Sequence, residues 1–157
     1  MNTAVASAAA GIGEFLYDVE VRFTKVTEFG FGLDALVSGT IPLPPAGVRL
    51  DVAFEGTARG PRLNAHVSGI DYLYARADGR IHLHIHAQVT TDDGEKLAFF
   101  ADGLARLRPG TGVADLRENG SFLTASARYA WLNDVQVWGK GTVDLAARAV
   151  QIRAYSA

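Results

Sequence analysis

Along most of the chain, apolar and polar side chains alternate with a period of two. Phe15, Tyr17, Val19, Val21 and Phe23 share one face of a segment whose other face carries Asp18, Glu20 and Arg22. Val48, Leu50, Val52 and Phe54 alternate with Asp51 and Ala53, and Leu63, Ala65 and Val67 alternate with Asn64, His66 and Ser68. Residues 80–91 are the most regular: His82, His84, His86 and Gln88 fall on one face, Leu83, Ile85, Ala87 and Val89 on the other. A period of two is the signature of a β-strand with one apolar face. Asp78-Gly79 before this run and Asp93-Gly94 after it are hairpin signals, because both residue types tolerate the positive φ of a tight turn.

Further strands are expected over 71–76, 95–107, 135–145 and 150–155, and a long one over 122–133. A less regular strand is expected over 33–41, ended by Pro42, Pro44 and Pro45. Residues 108–120, rich in glycine and polar side chains, read as a loop. Gly139 and Gly141 suit a bulge or a close backbone approach. No stretch sustains a 3.6-residue period. Many short strands without helices indicate an all-β fold, a single antiparallel β-barrel of about eight to ten strands or a sandwich. A barrel is favoured because closure removes exposed strand edges. The domain reading is a flexible N-terminal tail over residues 1–13 and one barrel domain over 14–157.

Composition narrows the function classes. Fifteen basic residues against seventeen acidic ones leave no basic footprint for nucleic acid. The chain has no cysteine, which excludes disulfides, thiolate metal sites and a cysteine nucleophile. No run approaches the roughly twenty apolar residues of a spanning helix, and the alanine-rich start lacks the basic residues of a signal peptide. These features lead to the expectation of a cytoplasmic protein without a membrane partner. GxSxG, Walker and Rossmann glycine motifs are absent from the sequence.

The histidines are the first candidate chemistry. If His84 and His86 face a barrel cavity, they and Asp71 can act as an acid–base set, since imidazole exchanges protons near neutrality. His82, His84 and His86, with His66 as a further ligand and Asp71 or Glu55 as a carboxylate, offer an alternative transition-metal site. A third reading places the whole row on a solvated face, with Leu83, Ile85 and Val89 inside. His66, Tyr72, Arg128, Tyr129, Trp131 and Asn133 are the candidate ligand-binding residues. Tyr129, Trp131 and Asn133 would line a pocket from one face of the late strand, and Arg128 would bind a carboxylate.

Three segments carry a family resemblance: GPRLNAHVSGIDY (residues 60–72), ADGRIHLHIHAQVTTDDG (77–94) and YAWLN (129–133) with the VWGKG that follows. They resemble the domain of unknown function 3237 family, with TDDG and WLN as the most specific pieces. The resemblance implies a calycin-type or allene-oxide-cyclase-like barrel, and little about chemistry. Relatives tend to carry Asp and Arg where this chain has His84 and His86, and Trp where it has Tyr72. The stretch before YAWLN is also shorter here. Together these readings lead to a cofactor-independent isomerase, cyclase or lyase acting on a carbonyl-containing or aromatic-like substrate. The alternatives are a lipocalin-like binding protein and a metal-dependent enzyme. The expected partner is a hydrophobic or aromatic small molecule, with homo-oligomerisation left open.

Overall fold

The computed structural model describes residues 13–157, so the tail expected over 1–13 lies outside the described residues except for Gly13. Eight strands, β1 (Phe15–Glu28), β2 (Val48–Arg59), β3 (Asn64–Ala75), β4 (Arg80–Thr91), β5 (Lys96–Leu107), β6 (Val113–Leu123), β7 (Val137–Asp144) and β8 (Ala149–Ser156), follow one another around the barrel. Each pairs antiparallel with its neighbours in sequence, and β8 closes on β1 with Val19 opposite Ile152. The apolar parity of every strand points inward. On β4 this puts Ile81, Leu83 and Val89 in the core, at 1%, 4% and 3% exposure.

The interior divides into two apolar clusters bridged at mid-height by Val19 and Ile85. Each cluster is closed at its end by a short helix that the alternation reading missed. Residues 33–41, expected as a strand, instead contain helix α1 (Leu33–Ser38). Leu33 and Leu36, one helical turn apart, are buried in one cluster. Gly39 ends the helix at φ 65°, in the left-handed region that glycine occupies without steric cost. At the opposite end, residues 127–134 form a 3-10 helix (Ala127–Asp134), not the second half of a strand. Its Tyr129 and Leu132, three residues apart, are buried in the other cluster.

Two other expectations are corrected. Residues 113–120, read as loop, belong to β6, because Ala114, Leu116, Glu118 and Phe122 share one buried face despite the polar residues between them. Strand β2 runs unbroken to Arg59, and the separate strand expected over 71–76 is the second half of β3. No helix among the described residues is long and apolar enough to cross a membrane.

Candidate functional site in the barrel interior

The barrel encloses a cavity of about 90 Å³, enough for several waters. Its wall is almost entirely aliphatic and aromatic. The polar groups lining it are the carboxyls of Asp71 and Glu118 and the hydroxyl of Tyr17. A carboxyl on the inward parity of a strand is costly unless something compensates it, so these two acids are the exceptional positions in the interior.

Asp71 comes from β3. The β3–β4 ladder pairs Asp71 with Ile85 and then lapses until Tyr74 pairs with His82. In that gap the backbone N–H of His84 donates to Asp71 Oδ1 at 2.9 Å. The side chain thus accepts a hydrogen bond from the strand that the ladder leaves free. Burial pushes the Asp71 carboxyl up to about 6, against the opposing pull of the His84 N–H.

Glu118 comes from β6 and is 9% exposed. Its neighbours across the ladder are Gly103 on β5 and Gly139 on β7. A methyl group at Gly139 would lie 2.7 Å from Glu118 Cγ, and one at Gly103 would lie 2.9 Å from Glu118 Cβ. Gly139 makes room for the glutamate, whereas a methyl at Gly103 would first meet the Arg117 backbone carbonyl oxygen, at 2.3 Å. Glu118 Oε2 is buried without a hydrogen-bond partner among the described residues. Burial, with a smaller contribution from the charge of Asp71, raises this carboxyl to about 7. Burial and the charge of Glu118 also push the Tyr17 phenol upward.

The histidines occupy the other side of the wall. The expectation that His84 and His86 reach the cavity is corrected: with Leu83 and Ile85 inward, the period of two sends His82, His84 and His86 outward together. His84 Nδ1 lies 2.9 Å from Asp102 Oδ1, and His86 Nε2 lies 3.2 Å from His84 Nε2. Tyr72 is also on the outer face, edge-on to His86 and under the Arg49 guanidinium. His82 packs against Tyr74. His66 sits apart, 3.4 Å from Glu55, so the four histidines do not converge. Among the described residues no three histidine, aspartate or glutamate side chains are grouped to hold a metal ion.

The late aromatic segment does not form a strand wall, because Tyr129, Trp131 and Asn133 lie on the 3-10 helix. The Tyr129 hydroxyl donates to Asp93 Oδ1 at 2.9 Å, and Arg128 forms an ion pair with Asp93. Trp131 lies under Arg62, 3.7 Å from ring centroid to guanidinium carbon. Asn133 clasps Thr124 through both its amide groups, at 2.8 and 2.9 Å. Asp93 belongs to the TDDG turn, so two of the segments that carried the family resemblance meet at one end of the barrel. Of the residues singled out from sequence, only Asp71 lines the cavity. Glu118 escaped notice, although an acid on the parity of Leu116 and Phe122 was visible as a signal.

A closed eight-stranded antiparallel barrel with an apolar interior and two inward carboxyls defines the class of this protein. The chain belongs to the family described as "Protein of unknown function (DUF3237)", which matches residues 14–157. Among solved structures, it is similar to a β-barrel-like protein from Acinetobacter baumannii AYE, with 21% identity, TM-score 0.74, and coverage of 91% of this chain and 93% of that one. A protein of unknown function from Rhodopseudomonas palustris shares 19% identity at TM-score 0.71, covering 91% and 95%. A Penicillium herquei protein described as an enzyme shares 19% identity at TM-score 0.62, covering 90% and 91%. These likenesses show the fold. No curated protein matches the chain significantly.

Proposed function

We propose that the barrel interior is an active site for cofactor-independent acid–base chemistry, with Asp71 and Glu118 in place of the histidines as the proton-handling pair. The observation that carries this reading is two carboxyls facing one apolar cavity, with their pKa values raised to about 6 and about 7. Groups poised near neutrality and separated from each other suit opposite roles. Asp71, whose charge the His84 N–H stabilises, acts as base, and Glu118, whose Oε2 has no partner among the described residues, acts as acid. Asp71 removes a proton beside a carbonyl while Glu118 protonates the carbonyl oxygen, giving an enol. Return of the proton from Asp71 to a carbon conjugated with the enol, as the enol O–H gives its proton back to Glu118, completes an isomerisation. From the same enol, departure of a β-hydroxyl as water, protonated by Asp71 while the enol O–H returns its proton to Glu118, gives a dehydration, and the reverse addition of a substrate hydroxyl to a conjugated carbonyl gives a cyclisation. The apolar, ring-rich wall of Phe54, Phe99 and Phe122 suits a compact carbonyl-containing or aromatic-like substrate, and the cavity of about 90 Å³ widens by movement of these rings to admit it. The described enzyme from Penicillium herquei shares the fold and is compatible with this reading.

The second reading is a binding protein that performs no chemistry, favoured by the nearly all-apolar lining. The test screens compact cyclic ketones and phenols for binding by thermal shift, then follows bound compounds for conversion. Asp71→Asn and Glu118→Gln are each expected to cut turnover by about a hundredfold or more while binding persists. Binding without turnover in the native protein would establish the second reading.

A further inference from the structure

The outer face of β4 carries a second arrangement that the interior chemistry does not use. His84 and His86 present their Nε2 atoms to each other at 3.2 Å. Two nitrogens 3.2 Å apart, each roughly 2.0–2.1 Å from one ion, subtend about 100–106° at it, close to the tetrahedral angle. The other nitrogen of His84 is taken: Nδ1 lies 2.9 Å from Asp102 Oδ1. A carboxylate on the far nitrogen fixes the tautomer that leaves the Nε2 lone pair free, as in carboxylate–histidine–metal sets. The His86 ring is held edge-on between Tyr72 and Phe100, with centroids 5.8 and 5.1 Å away. His84 is well exposed, with a side-chain exposure of 58%, so an ion reaches the pair from solvent.

We propose that His84 and His86 form an open, two-histidine binding site for a divalent transition cation of the zinc class on the outer wall of the barrel, with Asp102 as its positioning residue. The remaining coordination positions are filled by water or by an oxygen or nitrogen of a bound molecule. Asp102 is on the Nδ1 side of His84, so it supports the site without ligating. His82, packed on Tyr74, and His66, beside Glu55, stand outside it. Imidazole ligands suit zinc, nickel and copper. Two protein ligands give a weaker site than a closed four-ligand one.

The test is calorimetric titration of the full chain, without an affinity tag, with zinc chloride. One equivalent is expected to bind. His84→Ala and His86→Ala are each expected to lower the affinity at least about tenfold, and Asp102→Asn about 10–100-fold. His82→Ala and His66→Ala should leave it unchanged. Nitrogen-15 spectra of the zinc-loaded protein should show His84 protonated at Nδ1 and metal-bound at Nε2, a signature that a merely structural Asp102–His84 contact does not produce. All these positions are on the surface, and an unchanged melting temperature will show that the variants remain folded. Absence of binding at millimolar zinc overturns the proposal. So does binding that survives the His84→Ala/His86→Ala double variant, or that loads His84 through Nδ1.

Discussion

Asp71 and Glu118 are the carboxyls of the interior, and both depart from the rule that strand parity puts apolar side chains inside. In the folded protein Glu118 has its carboxyl raised to about 7, whereas the unfolded chain exposes it to water at its ordinary value near 4.5. The native state therefore holds a proton that the unfolded chain gives up. The associated stability is full below about pH 4, declines as pH rises, and is lost once pH passes about 7. Asp71, raised to about 6, acts in the same direction at slightly lower pH. Denaturant unfolding from pH 4 to pH 8 is expected to show this loss. Glu118→Gln, which cannot ionise, is expected to recover on the order of 3 kcal/mol of it at pH 8. A native profile that rises over the same range, or a Glu118→Gln variant that loses stability at pH 8, contradicts the assignment. Asp93 has the opposite sign: hydrogen bonds from Thr91 and Tyr129 and the Arg128 ion pair hold its carboxyl down to about 2. Its contribution is present above about pH 4 and is lost below that, so it does not mask the loss between pH 4 and 8.

Strands and helices differ in how well the sequence announces them. The alternation of β1 and β4 and the Asp-Gly turns were readable because each strand has one apolar face and one wet face. Strand β6 was not, because Glu118 and Gly120 occupy inward positions where an apolar residue would have completed the pattern. The 3-10 helix resembles a strand in sequence because Tyr129 and Trp131 also satisfy a period of two over a short window. The spacing that decided the matter was Tyr129 to Leu132, the pair that closes the barrel end. Helix α1 carries the same three-residue spacing in Leu33 and Leu36. The β5–β6–β7 arrangement yields its own test. Gly139→Ala would place a methyl 2.7 Å from Glu118 Cγ and 3.0 Å from Ile152 Cγ2. Overpacking of this kind costs about 1–3 kcal/mol. Combined with Glu118→Ala, the cost should fall, because the nearest clashing atom is gone; a double-mutant cycle by denaturant unfolding measures that coupling. Equal costs in the two backgrounds would mean that Gly139 does not make room for Glu118.

For the molecule as a whole, closure of the barrel separates two chemistries that the sequence places side by side. The β4 run put three histidines within five residues, and alternation alone fixed them on a common side without fixing which side. The burial of Ile81, Leu83 and Val89 decided it, because aliphatic side chains gain more from leaving water than imidazoles do. The histidines therefore lie on the outer wall and the two carboxyls in the cavity. Of the acid–base set expected from sequence, Asp71 lines the cavity, and Glu118, from the stretch read as loop, lines it with Asp71. The measurement that bears most directly on this account is a carbon-13 titration of the side-chain carboxyls, assigned through Asp71→Asn and Glu118→Gln. The account predicts that Glu118 titrates near 7 and Asp71 near 6, with Glu118 moving down in Asp71→Asn. Both carboxyls titrating independently between about 3 and 5, as exposed acids do, would contradict it.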